Sequence, residues 1–90
     1  MSSAKVKREI IGLALLLDEV SDYTVFFDYS PHVSELSVSV RKNKEEWKLK
    51  VFEGKFYYDF HREEDEGKYL RIKEFLETEI KNLTEIKGGV

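Results

Sequence analysis

Few side chains in this sequence can do acid–base or metal chemistry, and they fall into three small groups. Asp28 stands four residues before His32, across the Ser30-Pro31 step. A carboxylate beside an imidazole is the minimum set for general-base catalysis, which would make this turn a small enzyme's site. His61 precedes Glu63, Glu64 and Asp65, and such a run holds a hard cation only weakly. It lacks the alternating oxygen ligands and central glycine of a calcium loop. No cysteine is present, so thiolate zinc sites, disulfides and cysteine nucleophiles are excluded. No glycine-rich phosphate loop or nucleophile elbow occurs. The third group is larger: Arg41, Lys48, Lys50 and Lys55 are interleaved with Phe26, Phe52 and Tyr57. Cations beside aromatic rings suit a protein contact, or single-stranded nucleic acid, with bases stacked on rings and phosphates held by lysines.

Those groups need a scaffold, and the apolar pattern supplies one. Over residues 4–21, Val6, Ile10, Leu13, Leu17 and Val20 recur at three- and four-residue steps, predicting an amphipathic helix. Ser2 or Ser3 suits its N-cap, and Gly12 leaves room for a close neighbour. Ile11, Leu15 and Leu16 widen the stripe beyond one face, so one flank is expected to meet either a second helix or another subunit. Residues 23–29 are aromatic and β-branched, as a strand requires, with Tyr23, Val25, Phe27 and Tyr29 of one parity. Ser30-Pro31-His32 marks a turn.

Strict alternation follows over 33–41, where Leu36, Val38 and Val40 face one way and Glu35, Ser37, Ser39 and Arg41 the other. That is the mark of a sheet with one solvated face. Residues 42–46 read as a hairpin connection. A strand is expected over 47–52 with Trp47, Leu49 and Val51 inward and Lys48, Lys50 and Phe52 outward. Glu53-Gly54 suits a tight turn. A further strand over 55–60 would then point Phe56, Tyr58 and Phe60 inward. Residues 61–67 form a charged approach to a last helix over 68–86, whose stripe is Tyr69, Ile72, Leu76, Ile80 and Leu83, widened by Phe75 and Ile86. Gly88-Gly89 ends it.

The expected fold is one α+β domain spanning residues 1–90. It is a two-layer sandwich: an antiparallel meander of three or four strands with N- and C-terminal helices on one face, α-β-β-β-β-α. The order helix, three-strand meander, helix resembles the double-stranded-RNA-binding domain. That family places a lysine-rich cluster at the start of its last helix, where it grips phosphates across the major groove. Here Glu63-Glu64-Asp65-Glu66-Gly67 occupies that position, followed by Lys68 and Arg71. An acidic run repels a phosphate backbone, so the resemblance implies the layout and not the RNA contact.

Composition bounds the function. Ninety residues with 41% hydrophobic and 37% charged side chains fit one folded core. The net charge of −3 disfavours strong attraction to nucleic acid or anionic membranes. Its distribution is uneven: residues 41–55 carry six basic and three acidic side chains, and residues 56–66 five acidic and one basic. The longest apolar run, Leu13 to Leu17, is far short of the roughly 20 residues of a membrane helix. Acidic residues stand where a signal-peptide cleavage site would fall. A cytoplasmic, non-enzymatic interaction or accessory domain is therefore expected, without cofactor or metal. It would act through a protein partner or self-association, by the outer sheet face: Phe26, Arg41, Lys48, Lys50, Phe52, Lys55 and Tyr57.

Overall fold

In the computed structural model, residues 3–60 and 62–88 are described, with side chains given for 4–60 and 62–83. The expectations placed on Ser2, His61, the Ile86 side chain and Gly89 lie outside them. Helix α1 runs Ser3–Val20 and buries Val6, Ile10 and Leu17 of the expected stripe together with Ala14, while Leu13 and Val20 are half-buried. Its C-terminal end is tied off by Ser21, whose hydroxyl donates to the Leu17 carbonyl at 2.5 Å and accepts the Tyr23 N–H at 3.1 Å. Nothing lies within 4 Å of a side chain placed at Gly12, so the close neighbour expected there is absent among the described residues.

Strand β1 spans Thr24–Ser30. A single 3-10 turn at Pro31–Val33 ends with Ser34 in the left-handed region at φ 57°. Strand β2 spans Glu35–Arg41 and buries its alternate residues Leu36, Val38 and Val40. Strand β3 spans Lys50–Tyr57. The three form one antiparallel meander in the order β1-β2-β3. Both helices supply buried side chains to one core over its inner face, and α2 contributes Tyr69, Ile72 and Leu76.

The expected fourth strand is corrected. Residues 50–57 are one continuous strand, with Glu53 opposite Ser39 and Gly54 opposite Val38. No glycine among the described residues has positive φ, so Gly54 serves no turn. It serves packing, because a Cβ at this position would stand 2.8 Å from Cγ1 of Ile72 on α2. Among the described residues the layout is α-β-β-β-α.

The last helix starts earlier than expected. α2 spans Glu64–Gly88, so the acidic run read as a loop is its first turn. Glu64, Asp65 and Glu66 lie at the positive end of the helix macrodipole, where carboxylates stabilise. Asp65 is buried. Its carboxylate accepts the Arg62 N–H at 3.1 Å, the Tyr57 N–H at 3.4 Å and the Arg62 guanidinium at 3.4 Å. The end of β3 is thereby tied to the start of α2. Between the helices, the Tyr69 hydroxyl donates to Glu9, which also pairs with Lys73 at 3.2 Å.

Candidate interaction surface

The outer sheet face is built by register. Phe26 lies opposite Ser39, and Ser39 opposite Glu53; Ser37 lies opposite Lys55, Glu35 opposite Tyr57, and Arg41 opposite Lys50. A shallow trough runs over Ser37 and Ser39, walled by Arg41, Lys50, Glu53 and Lys55. Its cations are engaged locally. Arg41 Nε donates to Ser39 Oγ at 2.7 Å, and Lys50 pairs with Glu53 at 2.5 Å. The Lys50 hydrogen bond, with the charges of Lys50, Arg41 and Lys55, holds the Glu53 carboxyl below its ordinary range. The Tyr57 ring is covered by the Arg62 guanidinium, 4.5 Å from its centroid.

Five of the seven predicted surface residues therefore share this face: Phe26, Arg41, Lys50, Lys55 and Tyr57. Two do not. Phe52 points inward and stacks on Phe75 of α2, with centroids 4.2 Å apart and planes 7° from parallel. Lys48 lies in the connection before β3, its ammonium 5.6 Å from the Trp47 ring. Phe52 shares the parity of Gly54 and Phe56 in one continuous strand, opposite Val40, Val38 and Leu36, and so faces the core. Before it the pairing shifts by one residue between Val40 and Arg41, which leaves Val51 unpaired and returns Lys50 to the outer face. Trp47, Leu49 and Val51, expected inward, are exposed, Trp47 at 50%. The connection is held by its backbone and Asn43: Lys42 N–H donates to the Leu49 carbonyl at 2.9 Å, and Glu46 N–H to Asn43 Oδ1 at 2.6 Å.

A different apolar surface is larger than the sequence suggested. Strand β1 exposes aromatic rings on both faces: Phe26 at 48% outside, and Phe27 at 40% and Tyr29 at 41% on the helix side. Two contacts set α1 along this strand. Lys7 Nζ donates to the Tyr29 hydroxyl at 2.9 Å, and Val25 N–H donates to Asp18 Oδ1 at 3.1 Å. At 100° per residue, Ile11 and Leu15 lie on that same flank of α1, opposite the Glu9 side that meets α2. Leu15 is 48% exposed. The Lys7 ammonium also lies 5.0 Å from both the Tyr29 and Tyr58 rings. Its hydrogen bond to Tyr29 raises the lysine's pKa and lowers the phenol's. The signal available in the sequence was the adjacent pair Phe26-Phe27, which puts a ring on each face of a strand that a meander leaves at the edge.

The remaining polar groups assemble less. Asp28 and His32 are both exposed, on β1 and the 3-10 turn, and no hydrogen bond joins them among the described residues. A depression between the end of α1 and the β2–β3 connection is lined by Asp18, Glu19, Asp22, Asn43 and Glu45. Among the described residues no three histidine or carboxylate side chains are grouped to hold a metal ion, and no helix is long and apolar enough to cross a membrane. Comparison with protein-family models, curated proteins and solved structures finds no match.

Proposed function

We propose that this chain is a non-enzymatic interaction domain whose contact surface is strand β1 with the adjoining flank of α1. One observation carries the reading: Phe26, Phe27, Tyr29 and Leu15 are large apolar side chains left 40% or more exposed around one edge strand. Scattered surface apolar groups are ordinary. A ring on each face of one unpaired edge, beside an exposed leucine, is the concentration that marks docking. The exposed residues of the β2–β3 connection, Trp47 and Leu49, are separate from it in sequence.

The nucleic-acid alternative has less support. Arg41, Lys50 and Lys55 keep a common face, but Glu35 and Glu53 stand among them. Phe52 is lost to the core and Tyr57 is already covered by Arg62, so of the three rings in the stripe Phe26 alone is left open to stack on a base.

The test is a photoreactive phenylalanine analogue placed at Phe26 or Phe27, with Glu74 on the exposed side of α2 as control. Protein adducts at the β1 positions and not at Glu74 support the reading. Equal labelling at all three, or none at any, overturns it.

A further inference from the structure

We infer that the occupant of the β1 edge is a second copy of this chain, paired antiparallel about Phe27 to make one continuous six-stranded sheet. The inference rests on the interaction reading above and gives it a partner. Three observations carry it.

The first is the edge itself. β1 is terminal in the strand order, and Val25 gives its N–H to Asp18 instead of β2. In an antiparallel ladder, alternate residues turn both backbone groups the same way. Val25, Phe27 and Tyr29 therefore direct N–H and C=O away from β2. Asp18 satisfies the first, and no described element satisfies Phe27 or Tyr29. An open edge with apolar rings is a template for another strand.

The second is charge. α1 is charged against its own macrodipole: Lys5, Lys7 and Arg8 lie toward its N-terminus, Asp18 and Glu19 toward its C-terminus. No acid stands in its first turn and no base in its last. α2 does the reverse, with three acids in its first turn. Within α1 this arrangement is unfavourable. It becomes favourable when a second α1 lies alongside, running the other way.

The third is symmetry. Lys7 meets the Tyr29 hydroxyl and Asp18 the Val25 N–H, contacts to the residues two positions either side of Phe27. A two-fold axis through Phe27 sets Val25 opposite Tyr29 of the second copy, preserving which face each side chain takes. With the Val25 N–H kept by Asp18, that pair is joined by the Tyr29 N–H to the Val25 carbonyl alone. It brings the Arg8 end of one α1 to the Glu19 end of the other and sets Ile11 near Leu15 of the second copy. An axis through Asp28 would place two aspartates directly opposite and is disfavoured.

Light scattering over a concentration series should report twice the 10.6 kDa chain mass. Arg8→Glu and Glu19→Lys are both at exposed positions, and each alone should weaken the dimer by about tenfold or more. An equimolar mixture of the two should restore it, since each altered end then meets its opposite. Circular dichroism of each variant checks that the helix is kept. Amide exchange at Phe27 and Tyr29 should slow in the dimer relative to dilute monomer. A chain that stays at monomer mass at millimolar concentration overturns the inference, as does a mixture that fails to recover the dimer. Exchange at Phe27 that ignores concentration overturns the edge pairing. Adducts from Phe27 to a different protein, with monomeric mass, would remove the second copy and leave the interaction reading standing.

Discussion

Gly54 and Ile72 are in contact so close that a side chain cannot be added between them: a Cβ on Gly54 would stand 2.8 Å from Cγ1 and 3.1 Å from Cδ1 of the isoleucine. Ile72 is buried in the core and cannot swing aside into solvent. Gly54→Ala should therefore cost about 1–3 kcal/mol, the usual range for overpacking. Urea unfolding measures it. Adding Ile72→Val to Gly54→Ala should recover part of the loss, and a neutral Gly54→Ala would mean the helix stands further from β3.

Phe52 and Trp47 should separate in the opposite sense to their sequence pattern. Phe52→Ala removes a ring stacked on Phe75 and should cost about 2 kcal/mol or more. Trp47→Ala removes an exposed ring and should change stability by no more than about 0.5 kcal/mol. Trp47 is also the only tryptophan, so its emission should be that of a solvated indole, readily quenched by iodide. A blue-shifted, protected emission would return Trp47 to the core.

Asp65 gives the fold an acid limit. Burial alone would raise its pKa, but the Tyr57 and Arg62 N–H groups and the Arg62 guanidinium outweigh that and hold it below the ordinary 3.8. A folded pKa below the unfolded one means stability is fully present above the unfolded value and is lost as pH falls through the folded one. Asp65→Asn should cost about 1–3 kcal/mol at neutral pH, because an amide meets those donors poorly. The gap between wild type and variant should close as pH falls below about 4. Denaturant midpoints at neutral and acid pH would show it.

Glu9 couples the two helices. The Tyr69 hydrogen bond, with Lys73 beside it, lowers its pKa below the ordinary 4.5. A double-mutant cycle on Glu9→Gln and Tyr69→Phe should give a coupling of about 1–2 kcal/mol, in keeping with a hydrogen bond to a charged group. Additive effects would mean that the hydroxyl and carboxylate do not meet in solution.

Periodicity alone determined α1, β1, β2 and the buried stripe of α2. In α1, β2 and α2 the local pattern and the burial agree, because a side chain's direction follows from its position in a regular element; in β1 only the direction does. Leu36, Val38 and Val40 were legible for that reason, and so were Phe26, Arg41, Lys55 and Tyr57 on the outer face. Three features were decided only by tertiary structure. The continuity of β3 through Glu53-Gly54 put Phe52 on the inner face with Phe56, the bulge opposite Arg41 kept Lys50 outside, and Trp47 was left exposed in the connection before the strand. Gly54 reads as a turn until α2 is laid across it. The exposure of Phe27 and Tyr29 depends on how far α1 reaches across β1, a matter of packing between elements that no single element encodes.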